Sequence, residues 1–276
     1  MKGIKLAVAA IITLSSSFAT AAPLPLYSTS FEAPTYTVDA TINGIEGWSV
    51  SGGTGAAATV RTGAAAQGSN FVELSSGAVI DKTFSNTTGQ NVVWVEGYFK
   101  GTGSQTTLAN ATYPGTAASA IVHFSQANGI EFLNGTKNDG AGTPVSSSVA
   151  IVSTNWYKIT IRLEFSTQTW DVWVNDAQSA SYKDLGFKSA NVTKLNGFKN
   201  LAQGTAYFDA FRVVLRTAGD ANGDGVFDAA DLTAIVQHIA TPASDPIVQD
   251  NGDVNGDGVL NTTDIGLVAD LVAATP

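Results

Sequence analysis

The 276-residue chain has no cysteine, so disulfides and thiol chemistry are excluded, and a chain that leaves the cell must be stabilised by core burial or bound metal. Charge is sparse at 13%, while 44% of residues are hydrophobic, a balance that fits neither wholesale disorder nor a coiled coil. After the first 21 residues no apolar run reaches the roughly 20 residues needed to cross a bilayer. Basic residues are missing from one whole end. Every Lys and Arg lies at or before Arg216, and ten aspartates follow it. The chain carries 23 acids and 14 bases, so the part before Thr217 is nearly neutral, with 13 acids against those 14 bases. Such a break predicts a domain boundary near Thr217 to Gly219, and an acidic end of this kind repels nucleic acid.

What is present begins with Lys2 and Lys5 ahead of an apolar stretch, Leu6 to Leu14, and the small-residue site Ala19-Thr20-Ala21. This is the layout of an export signal over residues 1–21, which predicts a secreted, extracellular protein, held at a surface, if at all, through a partner.

The acidic end contains a duplicated twelve-residue segment. Asp220-Ala-Asn-Gly-Asp-Gly-Val-Phe-Asp-Ala-Ala-Asp231 returns 33 residues later as Asp253-Val-Asn-Gly-Asp-Gly-Val-Leu-Asn-Thr-Thr-Asp264. Calcium takes six to eight oxygen ligands, and a chain curling around the ion supplies them from alternating positions. The candidate ligands of loop 1 are Asp220, Asn222, Asp224, the Val226 carbonyl, Asp228 and Asp231. Those of loop 2 are Asp253, Asn255, Asp257, the Val259 carbonyl, Asn261 and Asp264, making two Ca2+ ions in all. Asp228 and Asn261 are suited to act through a water. Loop 2 has one carboxylate fewer, which predicts weaker binding there. Apolar residues at helical spacing follow each loop, with Leu232, Ile235, Val236 and Ile239 in one copy and Ile265, Val268, Leu271 and Val272 in the other. Before loop 1, Phe208 to Leu215 alternates as a strand, so an entering helix is absent.

A duplicated loop with Asp at position 12, a following helix and no leading helix resemble a type I dockerin, over about Gly219 to Ala274. That resemblance implies a cohesin on a scaffold or surface protein as partner. Loop positions 10 and 11, which contribute to cohesin recognition in the family, fall on Ala229 and Ala230 in one copy and Thr262 and Thr263 in the other. They depart from the common Ser-Thr pair.

Residues 22–216 read as all-β. In Tyr157 to Phe165 the odd positions are apolar and the even ones polar; Trp170 to Asn175 follows after a turn at Ser166 to Thr169. Further strands are expected at Phe71 to Leu74, Val92 to Lys100, Ala120 to Phe124, Gly129 to Leu133 and Tyr207 to Leu215. The number of strands suits a two-sheet sandwich or jelly roll. From Tyr27-Ser-Thr-Ser-Phe-Glu32 to Tyr207-Phe-Asp-Ala-Phe-Arg-Val213, the pattern resembles the concanavalin A-like lectin and glucanase superfamily, which implies a curved sheet on which glycans lie. The expected chain is a 1–21 signal, a 22–216 sandwich and a small all-α calcium unit at 217–276.

With Trp170, Val172 and Val174 facing the core, Asp171, Trp173 and Asn175 face the other way, as a candidate glycan surface of indole, carboxylate and amide. The plainer alternative is that Trp173 packs under a loop or in the core. No strand spaces acids as Glu-x-Asp-x-x-Glu, and Glu73, Glu96, Glu131, Glu164 and His123 read as structural. The favoured expectation is a secreted carbohydrate-binding component tethered to a cohesin in polysaccharide degradation. A glycoside hydrolase or polysaccharide lyase with an unfamiliar site, and a surface adhesion or structural protein, stay open beside it.

Overall fold

The computed structural model describes residues 26–54, 57–85, 89–110, 118–241 and 245–274. The export signal expected at residues 1–21 lies outside them. Fourteen strands and three α-helices form in order along the described chain. The strands are β1 (Tyr27–Thr29), β2 (Trp48–Gly52), β3 (Ala58–Thr62), β4 (Asn70–Leu74), β5 (Ala78–Thr83), β6 (Val92–Gly101), β7 (Val122–Ser125), β8 (Gly129–Asn134), β9 (Thr143–Ser146), β10 (Tyr157–Glu164), β11 (Thr169–Val174), β12 (Leu185–Gly186), β13 (Gly197–Leu201) and β14 (Ala206–Leu215). The helices, α1 (Ala229–Ala240), α2 (Pro246–Gly252) and α3 (Thr262–Ala274), all follow the last strand.

One large antiparallel sheet runs β12-β11-β10-β6-β14-β4-β3, with β1 also paired to β14. Two three-stranded sheets, β13-β5-β2 and β7-β8-β9, make up the other layer. The layers enclose an aromatic core. Phe198, Phe208 and Phe211 lie with ring centroids 4.5 to 5.5 Å apart, and Trp48 meets Phe208 edge-on at 5.8 Å. Each such side chain taken out of water contributes roughly 1.5–3 kcal/mol, so the β part is held together by burial, as a cysteine-free chain requires. The strand alternation read in β10 and β11 holds: Ile159, Leu163, Trp170, Val172 and Val174 are buried, while Arg162, Asp171 and Trp173 lie on the opposite, outer face.

That outer face is shaped by one irregularity. The pairing of β14 with β6 shifts between Asp209 and Arg212, where Ala210 takes φ 45°. Residues directly opposite across an antiparallel pair share a face, and Asp209 faces Tyr98 while Arg212 faces Glu96. The extra residue therefore puts two side chains three positions apart on the same side of the sheet, which a regular strand would not do. Arg212 thereby stands on the face that receives the helices.

The helical unit has a small core of its own. Ala221, Ile235, Val248 and Val268 are buried together, flanked by Leu232, Val254, Leu260, Ile265 and Val272. Of the apolar residues read at helical spacing after the loops, Leu232, Ile235, Ile265, Val268 and Val272 join this core, while Val236, Ile239 and Leu271 are exposed. Helix α2, by contrast, has no expected counterpart in the sequence reading; it starts on an Asp245 cap, with Pro246 in its first turn.

Candidate metal and docking site

The two acidic loops adopt the same path. Gly223 and Gly225 have φ 71° and 83°, and Gly256 and Gly258 have 72° and 83°, left-handed angles that glycine reaches without steric cost. Their hydrogen bonds repeat as well. Asp220 Oδ2 accepts from the Gly225 N–H at 3.0 Å and Asp253 Oδ2 from Gly258 at 2.8 Å. Asp224 Oδ1 accepts from Val226 and Asp257 Oδ1 from Val259, both at 2.8 Å. Asp231 Oδ2 accepts from Asp228, and Asp264 Oδ2 from Asn261, both at 3.0 Å. Asp228 also caps α1, accepting from the Ala230 N–H, and with Asp231 it completes a capping box. The last acid of the loop is thus the first-turn acid of the helix, where the backbone dipole favours it.

The residues present fit a hard cation. Asp220 is 2% exposed, and its Oδ1 has no hydrogen-bond partner. Burial first, then the neighbouring Asp231, pushes the Asp220 carboxyl up to about 6, and burial also raises Asp231. A buried carboxylate with an idle oxygen is costly unless a cation meets it. Among the described residues, no three His, Cys, Asp or Glu side chains converge tightly enough to hold an ion by themselves. The donor set of each loop accordingly extends to Asn and to the Val226 and Val259 carbonyls. Loop 2 is more open at matching positions: Asp220, Gly223 and Gly225 of loop 1 are buried, whereas Asp253 is half-buried and Gly256 and Gly258 are exposed.

The positions expected to meet a partner protein, Ala229, Ala230, Thr262 and Thr263, are all exposed at the starts of α1 and α3. Farther along these helices Val236 and Ile239, and Leu267, also face solvent.

Helix α2 instead meets the outer face of the large sheet. Ile247, 1% exposed, packs with Val92, Trp94 and Val214, and Trp173 covers them. The Trp94 indole N–H donates to Asp250 at 3.1 Å, and Arg216 and Arg162 reach the same carboxylate at 3.1 and 3.3 Å. Arg212 bridges Glu96 at 2.9 Å and Asp245 at 3.3 Å, and Lys158 joins Glu96 at 3.0 Å and Asp176 at 2.8 Å. Burial alone would raise the Glu96 carboxyl, but Arg212 and Lys158 outweigh it and hold the carboxyl below its ordinary value. On the face that alternation offers to a glycan, Trp173 therefore packs against the cluster of Val92, Trp94, Val214 and Ile247, neither under a loop nor in the sandwich core, while Asn175 is exposed. Trp173 is half-buried at 5.2 Å from Trp94. Asp171 accepts from the Asp184 N–H, and Asn175 from the Lys158 N–H. Sequence alternation found the face of β11 but had no access to what covers it.

The remaining candidate acids have structural partners. Glu73 pairs with Arg61, Glu164 with Arg162, and Glu131 is 2% exposed and accepts from the Leu108 N–H. The ring of His123 is hydrogen-bonded to the Thr106 carbonyl through Nε2. Sequence reasoning missed a cleft of about 930 Å³ between the layers, lined by Phe99, His123, Phe124, Asn196, Phe198 and Asn200 among others. Its walls come from strands that are far apart in sequence.

Residues 218–272 match the family model of the dockerin type I domain. Type I dockerins are calcium-binding and occur in extracellular cellulosome components, and they imply a cohesin as partner. No curated protein matches the chain. Among solved structures, a sialidase aligns over 81% of this chain and 21% of its own, at 7% identity and TM-score 0.43. The CBM22-1 xylan-binding domain of Xyn10C from Paenibacillus barcinonensis aligns over 71% of this chain and 97% of its own, at 16% identity and TM-score 0.34. Domain 4 of AbnA, a GH43 extracellular arabinanase from Geobacillus stearothermophilus, aligns over 60% and 81%, at 9% identity and TM-score 0.38. The chain thus spans about a fifth of the sialidase's length. The described part of the chain is a β sandwich followed by a small helical unit, and residues 218–272 of it are dockerin-like. Among the described residues, no helix is long and apolar enough to cross a membrane.

Proposed function

We propose that this is a secreted carbohydrate-binding component of a polysaccharide-degrading assembly, tethered through residues 217–276 to a cohesin on a scaffold or surface protein. The observation that carries the tethering is the duplicated loop with the buried, unpartnered oxygen of Asp220, within the stretch that matches the dockerin model. In this reading each loop holds one Ca2+: Asp220, Asn222, Asp224, Val226, Asp228 and Asp231 in the first, and Asp253, Asn255, Asp257, Val259, Asn261 and Asp264 in the second. The ion supplies charge neutralisation and a fixed centre for the loop; Asp228 and Asp231 set the helix start beside it. With α2 turned to the sheet, Ala229, Ala230, Thr262 and Thr263, together with Val236, Ile239 and Leu267, remain as the surface offered to the cohesin.

For the sandwich, the cleft between the layers supports a glycan better than the Asp171, Trp173 and Asn175 face does, because the indole of that face, Trp173, is packed against Val92, Trp94, Val214 and Ile247. Phe99, Phe124 and Phe198 offer apolar ring surface, and Asn196 and Asn200 offer amides, which together suit the two faces of a sugar. The test is a glycan array probed with the full chain, followed by reducing-end release assays on each hit, and a cohesin panel probed with and without calcium. Binding without release, and cohesin capture lost in EDTA, are expected. Release of reducing ends would favour a hydrolase, and silence on every glycan would remove the carbohydrate reading.

A further inference from the structure

The two loops are near-copies in sequence and path, but only the first is built against the sandwich. Gly223 lies under Val214 of β14 so closely that a Cβ there would come within 3.0 Å of Val214 Cγ1 and 3.5 Å of Ile247. The Asn222 carbonyl accepts from Arg212 Nη1 at 3.4 Å. Behind it, the Gly219 N–H donates to the Asn251 carbonyl at 2.7 Å, and the Asn251 amide donates to the Asp220 carbonyl at 2.9 Å. Loop 1 is thereby fastened to α2, and α2 to Trp94, Val214, Arg162, Arg212 and Arg216 of the sheet. At the matching positions of loop 2, a Cβ on Gly256 or Gly258 would meet nothing within 4 Å.

We infer that the outer face of the large sheet preorganises loop 1 for calcium, so that the sandwich raises the affinity of loop 1 and leaves that of loop 2 unchanged. The inference rests on the calcium reading above. An ion that binds a mobile loop loses part of its binding energy to ordering the chain, and a loop already held in its bound path loses less. A guanidinium beside a cation site would ordinarily oppose the ion. Here Arg212 and Lys158 are met by Glu96, Asp176 and Asp245, so the cluster presents two positive charges against three negative ones. Positioning by Arg212 thus comes without net repulsion. By reciprocity, calcium in loop 1 must tighten the contact between α2 and the sheet, and calcium in loop 2 must not.

The experiment is calcium titration calorimetry on the full chain in two backgrounds, Asp257→Ala to leave loop 1 alone and Asp224→Ala to leave loop 2 alone. Into each goes Arg212→Gln, or Asp245→Asn, which keeps an oxygen to cap the Ile247 N–H while removing the charge facing Arg212. Arg212→Gln should weaken loop 1 about tenfold, the usual scale of a lost charge-assisted contact, with loop 2 changed less than about twofold; Asp245→Asn should act in the same direction on a smaller scale. Equal losses in both loops, or none in either, overturn the inference while leaving calcium binding intact. No calcium uptake by either loop of the unmutated chain would sink the calcium reading itself, and the inference with it. Should Arg212→Gln fail to fold, the fluorescence of Trp94 and Trp173 decides. It should respond to calcium when only loop 1 is intact, and a response with only loop 2 intact would overturn the inference.

Discussion

The sandwich and the helical unit solve the same problem, a cysteine-free chain that must stay folded, by different means. The sandwich buries a continuous core of aromatic and aliphatic side chains from both layers and carries almost no net charge. The helical unit buries four residues in its own core and concentrates ten aspartates without a Lys or Arg. What the sandwich gains from burial, the helical unit must gain from cations. Some of these are its neighbour's: Arg162, Arg212 and Arg216 stand on the sheet opposite Asp245 and Asp250. The rest, for the loop carboxylates, are expected to be metal ions. The sharp change in charge along the sequence therefore separates two modes of stabilisation, and the positive residues near it are the seam between them.

The strongest way to break this comparison is to remove the metal. Chelation with EDTA should lower the melting temperature of the residues after Gly219, followed by the helical circular dichroism signal, while the sandwich keeps its own melting transition within a few degrees. An ion present at a thousand times its Kd contributes about 4 kcal/mol, comparable with the whole stability of a unit this small. A melting profile identical with and without EDTA would show that the helical unit stands on its core alone.

How much of this was legible beforehand follows the same division. In the loops, ligand chemistry dictates spacing along a continuous segment, so Asp220 to Asp231 and its copy announce themselves. The strands with one wet face, such as β10, are equally plain because Tyr157 to Phe165 alternates without interruption. The short strands β1, β2, β3, β5, β9, β12 and β13 were not individually expected: in β3, Ala58 to Val60 are buried at consecutive positions, which erases the alternation that period-two reading depends on, and β1, β9 and β12 have only three, four and two residues. Helix α2 escaped notice because its seven residues are too few for a helical period to show. The meaning of Trp173 was out of reach for a different reason. Alternation reports which side of a strand a residue faces, and not whether another element, distant in sequence, lies upon that side.

The comparison can be sharpened inside the helical unit with pH. His238 is 6% exposed on α1, its Nδ1 has no hydrogen-bond partner, and burial lowers its pKa from the ordinary value, against the opposing pull of Asp245. Its folded pKa lies below that of the unfolded chain, so the unfolded chain binds more protons as the pH falls through the ordinary histidine range. Stability is then complete above roughly pH 6.5 and declines below it, by up to about 1.4 kcal/mol per pH unit. In saturating calcium, which keeps the loop carboxylates ionised, the helical transition should drop as the pH falls below roughly 6.5 while the sandwich transition, with no buried histidine, does not follow this profile. His238→Gln should flatten the decline. An unchanged slope in that variant would assign the pH dependence to the carboxylates instead.

The smallest effect concerns the two loops themselves. They differ at position 9, where Asp228 in loop 1 is matched by Asn261 in loop 2, and each side-chain oxygen there accepts a backbone N–H at the start of its helix, from Ala230 and Thr263 respectively. Because Asn makes the same cap as Asp, Asn261→Asp changes the charge of loop 2 while preserving the helix start. One added carboxylate at this exposed rim is worth roughly 0.6 kcal/mol, so calorimetry with loop 1 silenced by Asp224→Ala should show loop 2 binding calcium about threefold more tightly. The gain should shrink in high salt, because the interaction is screened. If Asn261→Asp left the affinity untouched, position 9 would contribute nothing by its charge, and the difference between the loops would fall entirely to what lies behind loop 1 on the sheet.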